Sequence, residues 1–425
     1  MDWEKIYDSL APYYSTVGRQ ALPIQLMVGL HLLKHMNDMS DEQCSDRVRG
    51  DIYWMYFCGV DTEDLKGKYK HLDSSSMTKF RNRIGGKGFS EIEKIIQSYL
   101  IKKNKIDSKV MNIDSSCMEK NIEYPTDSSL LDKGRKKLLK SIKTLEILGI
   151  KSIQSLRSYS RASKRQILLI VKLGKDRADR IKKATLQLAR HAKHVVRKGE
   201  KMIRRAQYAI RIRLKQNKDV RKLKKEVLKL KECKDIVKKI ILQAQQRFKG
   251  KHIPKKIYSL HEPQAVVIRK GKRSKKNEYG SKINISTDRN GYIVNHELYH
   301  DNRHDSKLLD PALKQWQQKT GRLPKQVNGD RGYVQKKKNL RYGLKAKVKK
   351  LCIPTTGKIK HPDHDKKWFK QGQRWRAQIE GVFGHLKQDH RMDRCRYKGS
   401  IGDEVNLVLA ALSWNLTKLA RDPTR

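Results

Sequence analysis

Residues 376–387 read RAQIEGVFGHLK and place two basic side chains and one acid along a predicted helix. At about 100° per residue, Arg376, Glu380 and Lys387 fall within about 60° of one another, so they share one helix face. Taken alone, Arg376 and Glu380 also fit a surface ion pair, which contributes only about 0.3 to 0.5 kcal/mol. Metal-dependent chemistry at this face requires further carboxylates from other elements.

Two aspartates occupy positions in or after predicted strands. Asp114 lies inside the alternating segment VMNIDSSC, where an isolated charge is costly unless it faces a metal or a donor. Asp330 follows a short predicted strand in VNGDRGY, the usual place for ligand-binding residues in an open α/β sheet. Two aspartates and Glu380 offer the hard oxygen ligands that suit a pair of Mg²⁺ ions about 4 Å apart. Such a pair activates water or a 3′-hydroxyl for phosphoryl transfer.

The segments NIDSSCMEKNIEYPTDSSLL, VNGDRGY and RAQIEGVFGHLK resemble, in this order, the D, D and E motifs of bacterial insertion-sequence transposases with an RNase H-like catalytic core. The resemblance implies that Asp114, Asp330 and Glu380 are the catalytic residues. It also implies that they are the ligands of two Mg²⁺ ions, with Mn²⁺ as an alternative. By the same resemblance, Arg376 and Lys387 would bind DNA phosphates near the scissile bond.

Other side chains beside these motifs are candidates for DNA contacts. Gln373 stands where the helix pattern of the family has a tyrosine, and Trp375 offers an aromatic face for stacking on a base. Arg331 either contacts phosphate or pairs with Asp330. Asp305 is interpreted as the N-cap of the following helix, with an approach to the metal ions as the lesser alternative.

Composition indicates the class of partner. Lysine and arginine outnumber the acids 98 to 44, which gives a net charge of +54. Self-repulsion of this size destabilises a compact chain unless polyanions neutralise it, so nucleic acid is the expected partner. We find no apolar run of about 18 residues, signal peptide or lipidation motif, and therefore expect no membrane contact and a cytoplasmic, nucleoid-associated bacterial protein. The six cysteines share no C-x-x-C spacing, which argues against a zinc ribbon.

The elements that position these residues form three predicted domains. Residues 1–105 are predicted as an N-terminal helical domain for end recognition or dimer contacts. Residues 106–130 and 251–425 alternate strands and helices, which suggests an α/β fold with a central mixed sheet and helices on its faces; the resemblance implies an RNase H-like core. Residues 131–250 are predicted as a helical insertion, with 39 Lys or Arg against 9 Asp or Glu.

The sequence therefore favours a DNA transposase that hydrolyses phosphodiesters at the inverted ends of its mobile element and joins the 3′-hydroxyl ends to target DNA. Because two ends must be held together, a homodimer or a larger synaptic complex is expected. Two alternatives remain open at this point. A non-enzymatic basic nucleic-acid-binding protein explains the charge but not the three acids, and a structure-specific nuclease explains the acids but performs no joining.

Overall fold

The computed structural model describes residues 1–15, 17–18, 20–151, 157–173, 177–269, 277–334, 343–355 and 361–421. The chain divides into two compact units. The core unit comprises Met1–Asn121 and Ile268–Arg425, and the helical unit comprises Ile122–Val267. The helices of residues 1–105, predicted as a separate domain, cluster with the sheet in the core unit.

Six α-helices form the N-terminal part of the core unit. Polar side chains cap the N-termini of five of them. For example, Ser40 and Gln43 form a reciprocal capping box, and Asp73 accepts a hydrogen bond from the backbone N–H of Ser76. Gly85, at φ +57°, kinks the last and longest of these helices. The helices are α1 (Trp3–Leu10), α2 (Ile24–Met36), α3 (Asp41–Arg47), α4 (Ile52–Cys58), α5 (Thr62–Lys66) and α6 (Ser74–Lys102).

A mixed sheet of seven strands forms the middle of the fold. Its strands are β1 (Val110–Lys120), β2 (Val266–Arg269), β3 (Asn277–Thr287), β4 (Ile293–Tyr299), β5 (Gln326–Asn328), β6 (Lys350–Cys352) and β7 (Arg394–Cys395). The order is β2-β3-β1-β5-β6, with β4 also paired to β3 and β7 also paired to β1. Strand β3 is antiparallel to β1 and β4, whereas β5 is parallel to β1 and β6.

Helices and tight turns complete the core unit. The segment DRNG (residues 288–291) predicts a hairpin, because Asn290 and Gly291 tolerate a positive φ. This hairpin joins β3 and β4, and Gly291 has a φ of +84°. Two 3₁₀ turns lie beside the sheet, at Asp305–Lys307 and Arg331–Tyr333. The remaining helices are α11 (Leu309–Thr320), α12 (Lys367–Gln388) and α13 (Gly399–Arg421).

The helical unit contains the basic block of the chain. Its helices are α7 (Asp127–Ile147), α8 (Ser160–Lys172), α9 (Ala178–Lys215) and α10 (Arg221–Arg247). The first begins at Asp127 because the hydroxyl of Thr126 accepts a hydrogen bond from the N–H of Ser129. Apolar side chains at helical spacing form a core that belongs to this unit, for example Leu138, Ile142, Val195, Leu230 and Val237.

The predicted fold class is confirmed. The structure is α/β, with a mixed sheet flanked by helices, and the path β4-β3-β1-β5-β6 is consistent with an RNase H-like core. Within the described residues, none of the helices combines the length and apolar composition needed to cross a membrane.

Candidate active site

Strand register brings Asp114 and Asp330 to the same edge of the sheet. In the parallel pair β1 and β5, Asn112 lies opposite Asn328, and each aspartate follows two residues later in its own chain segment. The side-chain amide of Asn328 donates a hydrogen bond of 2.7 Å to Oδ1 of Asn112, which fixes this register. Because both segments run in the same direction, the two carboxylates lie next to each other beyond the last paired residues.

Burial and like charges dominate the electrostatics of the two aspartates. Burial raises the pKa of Asp114 to about 6, and the carboxylates of Asp330 and Asp305 push it in the same direction. Burial and Asp305 likewise raise the pKa of Asp330 above its usual range. The backbone N–H groups of Ser115 and Gly332 donate to Oδ1 of Asp114 and Asp330 at 2.7 and 2.8 Å and oppose these shifts. The arrangement therefore concentrates negative charge that attracts a cation.

Helix α12 brings the third predicted acid to the same side. The helical spacing of Ile379, Val382 and Leu386 predicts an apolar face that packs on the sheet, next to the charged face. These three side chains are buried as predicted, while Arg376 and Glu380 lie on another face. Nη2 of Arg376 donates to Oε1 of Glu380 at 2.8 Å, and Nη1 lies 3.9 Å from Oδ2 of Asp114. One guanidinium group thus contacts both carboxylates. Glu380 remains 64% exposed, so its carboxylate is accessible from solvent.

Asp305 belongs to this acidic group, and its predicted role as an N-cap is wrong. His304 caps the 3₁₀ turn instead, and α11 begins only at Leu309. Oδ1 of Asp305 accepts hydrogen bonds from Oγ of Ser115 at 2.8 Å and lies 2.6 Å from Nζ of Lys282. Asp305 is the first residue of the 3₁₀ turn, which precedes the helix, and the sequence alone does not reveal this turn. The sequence feature that could have indicated its role is an acid in the segment between β4 and α11.

The donor set suits a divalent cation. Asp114 and Asp330 supply hard carboxylate oxygens, and Oδ2 of Asp114 accepts no hydrogen bond from the described residues. A cation between the two would favour their ionised forms, which burial and the neighbouring carboxylates disfavour. In the part of the chain that the structure describes, no group of three or more acidic, histidine or cysteine side chains is arranged to hold a metal ion.

The predicted DNA-binding residues occupy different environments. Lys387 lines an open cavity on the same helix, and Trp375 is half-buried. Arg331 is exposed and forms no ion pair with Asp330 or any other described carboxylate. Gln373, at the position of the family's tyrosine, donates to the carbonyl of Cys352 at 2.9 Å and ties α12 to β6.

Two glycines leave the α12 surface bare. A Cβ added to Gly381 or Gly384 would meet no atom within 4 Å, so packing inside the protein does not explain these residues. Glycine costs about 1 kcal/mol relative to alanine within a helix. The two glycines therefore predict a close approach to this face from outside the protein, for example by a DNA backbone.

Two family models match the chain. The Transposase domain (DUF772) matches residues 1–83, and the Transposase DDE domain matches residues 259–416. The chain belongs to the DDE transposases of insertion-sequence type. Membership implies that this transposase binds DNA, and the family is generally dependent on divalent metal ions. Asp330 and Glu380 lie inside the second matched segment, whereas Asp114 lies outside both.

One curated protein is similar to part of this transposase. It is the "Uncharacterized protein ORF8 in nfe locus" of Rhizobium meliloti, 34% identical over 143 residues. The match covers 32% of the transposase and 67% of the relative. No solved structure matches the chain.

Proposed function

We propose that this transposase cleaves the inverted ends of its own element and joins the resulting 3′-hydroxyl ends to target DNA. The adjacency of Asp114 and Asp330 carries the proposal, together with the guanidinium of Arg376, which reaches both Asp114 and Glu380. A surface ion pair alone gives no reason for two partly buried aspartates beside it.

In this proposal Asp114, Asp330 and Glu380 are the catalytic residues and hold the metal. When bound, two Mg²⁺ ions, or Mn²⁺ in their place, lower the pKa of the attacking water or 3′-hydroxyl and stabilise the leaving oxygen. Arg376 exchanges its carboxylate partners for a phosphate of the DNA, since its planar guanidinium suits both groups. Lys387, Arg331 and Trp375 contact the same DNA.

The remaining parts of the chain supply binding and assembly. The helical unit contributes mostly sequence-independent affinity, because its excess of cations displaces counterions from DNA. The N-terminal helices recognise the element ends or contact a second copy. Holding two ends at once requires a dimer or a larger assembly.

The variant Asp330→Asn tests the catalytic assignment. It keeps the shape of the side chain but removes the charge that a divalent ion requires. We expect Mg²⁺-dependent cleavage of labelled end DNA to be lost while end binding in a mobility-shift assay persists. Asp365→Asn, which changes a carboxylate that is 80% exposed, is the matched control and should cleave at the wild-type rate.

If the Asp330→Asn variant cleaved end DNA at the wild-type rate, Asp330 would not be a catalytic residue. Absence of cleavage in the wild-type protein at any divalent-ion concentration would instead favour the non-enzymatic reading. A strand-transfer assay with pre-cut end DNA separates a transposase, which yields joined products, from a nuclease, which yields none.

A further inference from the structure

Two adjoining cavities form one basic groove in the core unit. The larger, about 670 Å³, lies between the N-terminal helices and the start of α13, and the smaller, about 420 Å³, lies along the end of α12. Arg391 and Arg396 line both cavities, which therefore adjoin at these two side chains. We call them together the α12–α13 groove. Its lower end begins at Gly384 and Lys387, on the helix that carries Glu380.

The interior of the groove holds more positive than negative charge. Asp41 accepts hydrogen bonds from Nζ of Lys34 at 2.6 Å and from Arg81 at 2.8 and 2.6 Å. Asp41 is the one carboxylate among the described residues that line the larger cavity. Lys34 and Arg81 are almost fully buried, at 3% and 9% exposure, and share this single counterion. Both cations pair with the same carboxylate, so the three groups together carry a net charge of +1, which favours an external anion.

Tyr397 holds the two buried cations in place. Its hydroxyl accepts a hydrogen bond from Lys34 at 3.0 Å, and the guanidinium of Arg81 lies 4.3 Å from its ring centroid. These contacts orient both cations but add no negative charge. The net positive charge of Lys34, Arg81 and Asp41 therefore remains at the wall of the cavity.

The rim adds further positive charge. Arg396 and Lys398 are exposed and have no carboxylate partner among the described residues, whereas Arg391 pairs with Asp38 at 2.9 Å. The first turn of α13, which is 23 residues long, lines the same cavity through Gly399 and the three residues after it. A helix N-terminus adds partial positive charge to that of these side chains.

We propose that the α12–α13 groove binds the phosphodiester backbone of the DNA whose scissile phosphate lies at the carboxylates. This inference rests on the proposed function and extends it to a second contact on the same DNA. The two joined cavities offer more room than one phosphate needs, and the groove starts on the helix that carries Glu380. Ser40, Thr78 and Asn82 add neutral polar groups of the kind that contact phosphate and sugar oxygens.

The test is the salt dependence of end binding by the full-length double variant Arg396→Ala/Lys398→Ala. Each lost phosphate contact lowers the slope of log affinity against log salt by about 0.9, so the slope should fall by about 2. The matched control is Lys314→Ala/Lys325→Ala, which removes two exposed lysines outside the groove. Its slope should equal that of the wild-type protein.

A second variant separates binding from folding. In Ser400→Asp, an acid enters the first turn of α13, where it favours the helix, so Tm should stay the same or rise. The same charge repels phosphate, so affinity for end DNA should fall several-fold. Wild-type affinity in this variant, or a wild-type slope in Arg396→Ala/Lys398→Ala, would overturn the proposal.

Two further outcomes are distinguishable. If inorganic phosphate raises the Tm of the wild-type protein but the double variant keeps the wild-type DNA slope, the groove binds free anions only and the proposal fails. In the other outcome, the double variant shows the expected change of slope, but the wild-type protein binds the ends and never cleaves them. The proposed function would then be wrong, whereas the assignment of the groove as a DNA-binding site would be supported.

Discussion

The side chain of Asn328 donates a 2.7 Å hydrogen bond to the side chain of Asn112 across the parallel strands β5 and β1. Both amides are buried, at 0% and 1% exposure. Because each lies two residues before an acidic residue, this bond sets the relative position of Asp330 and Asp114. If the register of β5 against β1 shifted by one residue, the two carboxylates would lie on opposite faces of the sheet.

Asn328→Ala should therefore affect both stability and cleavage. A buried amide left without its partner costs about 1–3 kcal/mol, which urea unfolding would measure. We expect the cleavage rate to fall further than the folded fraction explains, because the aspartates lose their register. Asn37→Ala, which removes an exposed amide bonded to the carbonyl of Leu33, should change neither quantity by much. Equal behaviour of the two variants would contradict the positioning role of Asn328.

Glu380→Gln distinguishes a structural ion pair from a catalytic acid. Glu380 is 64% exposed and pairs with Arg376, so loss of its charge should change the free energy of unfolding by less than about 1 kcal/mol. Cleavage of end DNA should nevertheless fall by orders of magnitude, because one metal ligand is lost. Glu91→Gln breaks a comparable exposed pair with Lys94 and is the control. If both variants cleave alike, Glu380 has only a surface role.

Local patterns in the sequence predicted most of the elements that carry the site. Alternation predicted β1 around Asp114, the segment DRNG predicted the hairpin, and apolar spacing predicted the buried face of α12. Each of these signals depends on neighbours in the chain. They need no knowledge of the tertiary fold, which is why they succeed.

Contacts between distant segments were not predictable in the same way. The pairing of Asn112 with Asn328 joins residues 216 positions apart, and no local pattern specifies it. An acid followed by serine before a helical segment has the signature of an N-cap, which is why the sequence predicts a cap at Asp305. Asp305 instead begins a 3₁₀ turn, and its carboxylate lies beside Ser115 and Lys282.

Acid should destabilise the core unit through Glu93. Burial alone would raise the pKa of Glu93, but His296 and Lys319, each 3.0 Å from Oε1, outweigh it and lower the pKa to about 2. A lowered folded-state pKa gives stability that is present above the unfolded value of 4.5 and is lost as pH falls toward 2. The loss is up to about 3 kcal/mol.

Urea unfolding between pH 5 and about 2 would measure this contribution. Glu93→Gln should be less stable than the wild-type protein at pH 5, because the cations lose their counterion, and should show a shallower pH dependence. Glu91→Gln, two residues earlier on α6, is exposed and should retain the wild-type pH dependence. An unchanged pH profile in Glu93→Gln would assign the acid sensitivity to other groups.

The helical unit should fold and bind DNA as a separate fragment, residues 122–267. Its helices α7, α9 and α10 share an apolar core of their own, so circular dichroism should report a helical protein with cooperative thermal unfolding. Affinity should be similar for end DNA and unrelated DNA and should fall steeply with salt. Six phosphate contacts would give a slope of about −5 for log affinity against log salt. Affinity that is nearly flat between low and moderate salt would show that the positive charge of this unit does not serve DNA binding.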